Sequence, residues 1–82
     1  MDNLISNQIL ELINSSDEPL ETKEIEEKIK DKIKHETVTR TKIFYRLNNL
    51  RGEGLIKGKF IGSGKGVWVW WGSKLFDKEI KQ

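Results

Sequence analysis

The sequence predicts an α+β domain in which three helices precede a two-stranded β-hairpin and a short C-terminal helix. Apolar residues recur at helical spacing through the first half of the chain. A Gly-rich stretch, 62–66, then separates two segments whose second is entirely β-branched and aromatic. Turn-forming residues interrupt the helical pattern at 14–19 and 34–37. The 82 residues predict one domain spanning 1–82.

The first two helices are predicted at about 3–14 and 22–34. Turn formers ending in Pro19 separate them, and Thr22 is the expected N-cap of the second helix. Adjacent helical residues do not face each other, so Glu26 and Glu27 are interpreted as solvated surface. The apolar stripes consist of Leu4, Ile5, Ile9, Leu12 and Ile13 in the first helix, and Ile25, Ile29 and Ile33 in the second.

The third helix is predicted at about 40–51, with Thr39 as its N-cap and Gly52 and Gly54 as its stop. Its buried stripe is expected to be Ile43, Leu47 and Leu50. The hairpin is predicted at about 55–71, with its first strand running through Ile61 and its second formed by 67–71. A last helix is expected at about 74–81, carrying Leu75, Phe76 and Ile80.

Composition excludes several classes of function. There are no cysteines and one histidine, so neither a disulfide framework nor a zinc site is expected. No nucleophile–base set or metal cluster is visible, which predicts a protein that is not an enzyme and needs no cofactor or metal. No apolar run approaches membrane-spanning length and the N-terminus opens polar, so an intracellular, cytoplasmic protein without a membrane contact or an evident small-molecule ligand is expected.

The charge is distributed unevenly along the chain. Residues 40–65 hold seven basic residues and one acid, a net charge of +6. Residues 1–36 hold ten acids and five bases, a net charge of −5. The modest total of +2 therefore conceals a basic half, which is typical of a surface that binds a polyanion.

The segment 38–56 resembles the recognition-helix signature of the winged helix-turn-helix superfamily. It combines a hydroxyl cap, a Leu-x-x-Leu pair at Leu47 and Leu50, and a Gly-Leu-Ile that begins the wing. The stretch 20–25 is similar to the usual entry into the second helix of that superfamily. The resemblance implies a small transcription regulator of archaeal or viral type. Such a protein would be associated with the nucleoid and bind double-stranded DNA as a homodimer, with its third helix in the major groove.

On a helical wheel, the side of the third helix opposite the buried stripe carries side chains suited to base edges and phosphates. The expected DNA-binding residues of the third helix are Thr39, Arg40, Thr41, Lys42, Tyr45, Arg46 and Asn49. The alternative is an ordinary solvated helix face that happens to be basic. In the wing, the expected contacts to phosphates or the minor groove are Lys57, Lys59, Ser63 and Lys65. The alternative there is a plain hairpin turn.

The aromatic strand leaves one question open. Period-2 alternation puts Trp68 and Trp70 on one face and Val67, Val69 and Trp71 on the other. Either the chain covers both faces, or Trp68, Trp70, Leu75 and Phe76 form a dimer or partner surface. An exposed Trp68/Trp70 face would favour a second function, a protein-interaction winged-helix module of a transcription, replication or membrane-remodelling complex.

Overall fold

A computed structural model describes residues 3–73, with the side chains described from Leu4 onward. It confirms an α+β architecture with three helices. The elements are α1 (Asn3–Asn14), β1 (Leu20–Glu21), α2 (Thr22–Lys32), α3 (Arg40–Gly52), β2 (Ile56–Ile61) and β3 (Val67–Gly72). The predicted C-terminal helix, with Leu75 and Phe76, lies outside the described residues. Within the described part, no helix is long and apolar enough to cross a membrane.

The sheet has three antiparallel strands in the order β1-β3-β2, so the prediction of a two-stranded hairpin was incomplete. The additional strand is β1, in which Leu20 lies opposite Trp70 and Glu21 opposite Val69. Two residues are too few for a periodic pattern to reveal a strand. This short strand joins the α1–α2 connection to the wing and so fixes the wing against the helices.

The core lies between the three helices and one face of the sheet. The predicted stripes are buried except at Leu4, which is 41% exposed, and Leu12, which is half-buried. The buried apolar residues are Ile5, Ile9, Ile13, Leu20, Ile25, Ile29, Ile33, Val38, Ile43, Leu47, Leu50, Ile56 and Trp70. All three helices therefore contribute apolar side chains to one continuous core.

The N-terminus of α3 is capped as predicted, whereas that of α2 is not. The Thr39 hydroxyl accepts a hydrogen bond from the backbone N–H of Lys42 at 3.2 Å. In α2 the N-cap is Glu21, whose backbone N–H donates to the Glu24 carboxylate at 2.8 Å. Thr22 instead accepts a hydrogen bond from the indole N–H of Trp70 at 2.8 Å, so its hydroxyl connects α2 to the sheet.

Gly52 is the last residue of α3, and Gly54 follows the C-cap Glu53 at the position that stops the helix. Gly54 adopts a positive φ of 79°, which favours glycine. The backbone N–H of Leu55 donates to the carbonyl of Leu50, and that of Gly54 donates to the carbonyl of Arg51, both at 3.0 Å. These two bonds form a Schellman motif, which turns the chain from α3 directly into β2.

The two faces of the sheet have different environments. The inner face packs on the helices and carries Ile56, Gly58 and Phe60 of β2, Trp68 and Trp70 of β3, and Leu20 of β1. The outer face carries Lys57, Lys59 and Ile61 of β2, Val67, Val69 and Trp71 of β3, and Glu21 of β1. Trp70 is fully buried against the helices, and it lies directly opposite Gly58.

Candidate nucleic-acid interface

Four of the predicted DNA-binding residues lie together on the side of α3 that faces away from the core. Thr41, Lys42, Tyr45 and Asn49 are all exposed, and Tyr45 is exposed over 61% of its surface. At about 100° per residue, these four lie within one sector of the helix, opposite the buried stripe. We call this set the outward face of α3. It presents a cation, an amide, a hydroxyl and a phenol along two turns of helix.

The positions of two neighbouring side chains shape this face. The guanidinium carbon of Arg46 lies 5.5 Å from the centre of the Tyr45 ring, a cation–π distance that favours one orientation of the ring. Arg46 itself is half-buried, at the margin of the face. The ammonium group of Lys42 donates to the carbonyl of Thr37 at 3.0 Å, so it lies over the start of α3.

Arg40 and Thr39 are not part of the outward face. The Thr39 hydroxyl is the helix cap, and the guanidinium of Arg40 forms an ion pair with Glu26 of α2. Glu26 is only 7% exposed, so its interpretation as solvated surface was wrong. Its carboxylate also pairs with Lys30 at 3.1 Å. The hydrogen bonds from Arg40 and then Lys30 hold the pKa of Glu26 below its ordinary value of 4.5.

The predicted wing residues occupy two separate places. Ser63 and Lys65 are exposed in the turn 62–66, where Gly62 and Gly64 take positive φ angles of 104° and 72°. Lys57 and Lys59 lie on the outer face of the sheet, which points away from α3. The four predicted wing residues therefore do not share one surface: two lie in the turn and two lie on the outer face of the sheet.

The tryptophans of the inner face are part of the structure of the wing, which answers the question left open by the sequence for Trp70. Trp70 is completely buried and cannot belong to a partner surface. Trp68 is half-buried and stacks on Trp70, with ring centroids 5.2 Å apart and planes 19° from parallel. The Phe44 ring meets both edge-on, at 6.1 Å from Trp68 and 5.9 Å from Trp70. The prediction of a partner surface is therefore wrong for Trp70, whereas half-buried Trp68 keeps part of its surface exposed.

Two residues beside the wing were not predicted to have a role there. The guanidinium carbon of Arg51 lies 5.4 Å from the centre of the Trp68 ring. Phe60, 47% exposed, meets the same ring edge-on at 6.0 Å. The signal for Arg51 is its spacing, because it follows Phe44 by seven residues and so lies on the same side of α3.

A groove of about 310 Å³ separates the start of the wing strand β3 from the N-terminal ends of α2 and α3. Lys23 and Arg40 supply cationic groups to it, and Phe44 and Trp68 supply apolar surface. The remaining lining residues are Glu21, Thr22, Gly66 and Val67. The groove is lined by two bases and one acid, and none of the four residues of the outward face of α3 lines it.

Three helices with a sheet whose last two strands form a wing define a winged helix-turn-helix fold. The chain belongs to the ribonuclease R winged-helix domain family, whose model matches residues 7–66. No curated protein matches the chain.

One similar solved structure is that of PadR from Bacillus subtilis in complex with operator DNA. The two chains are 17% identical, with a TM-score of 0.68 over 95% of this chain and 46% of that chain. This chain thus spans less than half the length of that structural neighbour, and the likeness is one of fold.

Proposed function

We propose that this chain binds double-stranded DNA in a sequence-specific manner and regulates transcription by occupying its site. One observation carries the proposal: the +6 segment 40–65 contains α3, β2 and most of the wing turn, and α3 exposes polar and cationic side chains opposite its buried stripe. Membership in a winged-helix family and the fold shared with PadR, whose structure contains operator DNA, support it.

In this proposal the outward face of α3 enters the major groove. The Asn49 amide can pair with adenine N6 and N7, and the Lys42 ammonium can reach guanine O6 and N7. The Thr41 methyl group and the Tyr45 ring suit the thymine methyl group. Arg46 lies at the margin, where phosphate contact is the natural role of a guanidinium.

The wing turn supplies contacts to the flanking backbone. Ser63, Lys65 and the exposed amides of the glycines can bind phosphates, which adds affinity but little sequence information. Arg40, which is already paired with Glu26, holds α2 against α3, and its guanidinium retains N–H groups for a phosphate beyond that pair.

We further propose that the protein acts as a homodimer on a palindromic site in the nucleoid. One winged-helix module offers a small DNA interface, and two copies double both the contact area and the length of sequence that is read. The described residues form one winged-helix module. We therefore propose that regulation comes from occupancy of a promoter, without a catalytic step.

The family name comes from ribonuclease R, so RNA is the relevant competing ligand. The major groove of an A-form duplex is deep and narrow, and side chains on a helix cannot read its base edges. The outward face of α3 is therefore better matched to B-form DNA. A duplex RNA of the same sequence serves as the comparison ligand in the test.

The test is a fluorescence-anisotropy titration of a labelled DNA duplex at a series of salt concentrations. The plot of log K against log salt has a negative slope. Replacing Lys65 by alanine should make this slope less steep by about 0.9, the value of one lost phosphate contact. Lys28→Ala is the matched control, because Lys28 is an exposed lysine on the flank of α2 away from Glu26 and α3.

Three results would contradict the proposal. The first is an absence of binding to any duplex even at low salt. The second is an equal loss of affinity in Lys65→Ala and Lys28→Ala, which would show only a general response to charge. Tighter binding of the RNA duplex than of the DNA duplex would assign the surface to RNA.

A further inference from the structure

The outer face of the sheet is an apolar stripe flanked by charges. Ile61 and Val67 lie opposite each other and are 50% and 44% exposed. Val69 and Trp71 continue the stripe along β3 and are half-buried. The three described helices pack on the inner face, so this stripe has no role in the core described above.

The charges on this face are placed in register. Glu21 of β1 and Lys59 of β2 are both direct neighbours of Val69, on opposite sides of β3. Strands lie about 4.8 Å apart, so the backbones of these two residues are separated by roughly 10 Å. Both side chains are exposed, and within residues 3–73 Lys59 has no ion-pair partner.

This arrangement is self-complementary. Consider a two-fold axis that runs parallel to β3 above Val69. It leaves the position of each residue along the strand unchanged, but it places β1 of one copy over β2 of the other copy. It therefore places Glu21 of each copy over Lys59 of the other copy and brings the two Val69 side chains together. Packed sheets are usually rotated by about 30° relative to each other, and this rotation displaces atoms least near the two-fold axis. Both Glu21–Lys59 pairs lie close to the axis, so their side chains stay within reach of each other.

We propose that the outer face is a docking surface for a second copy of this chain, packed sheet against sheet with two reciprocal Glu21–Lys59 ion pairs. Docking on the outer face of the sheet leaves the outward face of α3 uncovered, because α3 lies on the other side of the sheet. This inference locates a dimer contact on residues that the sequence did not indicate, and it does not depend on whether the chain binds DNA.

The size of the face predicts a weak dimer. At about 4.8 Å between strands and about 3.4 Å per residue, the two six-residue strands and the two-residue β1 give a footprint of roughly 230 Å². Stable interfaces bury about 800 Å² on each partner. Self-association should therefore be visible only at high protein concentration, and it should weaken as salt screens the ion pairs.

The test is sedimentation equilibrium of the full chain over a wide concentration range. Lys59→Glu alone and Glu21→Lys alone should each weaken self-association about ten-fold or more, because each turns two attractions into two repulsions. Mixing the two variants should restore association, since one copy then carries two acids and the other two lysines. The doubly exchanged chain, Glu21→Lys with Lys59→Glu, should also associate as the unmodified chain does.

The rescue by mixing guards against a folding artefact, because Glu21 is also the N-cap of α2. Lys28→Glu is the matched control, an equal charge reversal on the exposed flank of α2, and it should leave the association constant unchanged. The proposal is overturned if the unmodified chain stays monomeric at the highest concentration. It is also overturned if the two single variants associate as before, or if their mixture associates no better than either alone.

Discussion

A side chain at position 58 has no room beside Trp70. Gly58 lies directly opposite Trp70 on the inner face of the sheet. A Cβ atom added there would lie 2.5 Å from Cε3 and 2.6 Å from Cζ3 of the indole ring. The ring is fully buried, stacked on Trp68 and hydrogen-bonded to Thr22, so it cannot move away without disturbing its neighbours.

The cost of Gly58→Ala follows from these contacts. Overpacking of a well-packed core costs about 1–3 kcal/mol. Replacing glycine by alanine also reduces the conformational entropy of the unfolded chain, which stabilises the folded state by about 0.4–1 kcal/mol. The free energy of unfolding should therefore fall by about 1–2 kcal/mol, out of the roughly 4–12 kcal/mol expected for a domain of this size. At about 4–8 °C for each kcal/mol, Tm should fall by about 5–15 °C.

The assay is urea unfolding followed by circular dichroism, with Gly52→Ala as the matched control. Gly52 is helical and a Cβ there meets nothing within 4 Å, so alanine should raise the free energy of unfolding by about 0.5–1 kcal/mol. The two identical substitutions should thus have opposite signs. A Gly58→Ala protein as stable as the unmodified chain would refute the packing of Trp70 against β2.

Three other substitutions, the last of them with Trp71→Phe as its control, test the structure. Glu26→Gln should lower the free energy of unfolding by about 1–2 kcal/mol at neutral pH, a figure reduced for the exposure of its cationic partners. Because the folded Glu26 pKa lies below 4.5, its contribution is present above that pH and is lost as the pH falls through the folded pKa. Acid titration of both proteins should therefore show the difference shrinking, and a constant difference would contradict the ion pair. Thr39→Ala should cost about 1 kcal/mol in urea unfolding, and no loss would mean that the cap is dispensable. Trp70→Phe should cost about 2 kcal/mol through lost volume and the lost bond to Thr22, against less than about 1 kcal/mol for half-buried Trp71→Phe. Equal costs would show that the two faces of the sheet are assigned incorrectly.

Local physics explains what could be predicted from the sequence. The stripe of Ile43, Leu47 and Leu50 and the Thr39 cap depend on residues within one or two turns of each other, so a helical wheel is enough to place them. The same wheel places Tyr45 and Asn49 on the side of the helix away from the core. Both are exposed in the structure, and their role in binding stays a proposal.

What could not be predicted depends on contacts between distant segments. The burial of Glu26 follows from Arg40, which lies on another helix, and the strand β1 is defined only by its pairing with β3. Period-2 alternation separated Trp70 from Trp71 but could not say which face packs on the helices. Gly58 was the available signal, since a glycine inside a strand often marks the close approach of a bulky group.

The central claim is that the outward face of α3 and the turn 62–66 bind duplex DNA. The most direct measurement is an NMR titration of the isotope-labelled protein with a random duplex and with a duplex enriched from a random library, at near-physiological salt. Shifts should concentrate in α3 at Thr41, Lys42, Tyr45 and Asn49 and in the turn, and the enriched duplex should bind far more tightly. If neither duplex perturbs these residues, the basic face is not a DNA site, and the proposed function is wrong.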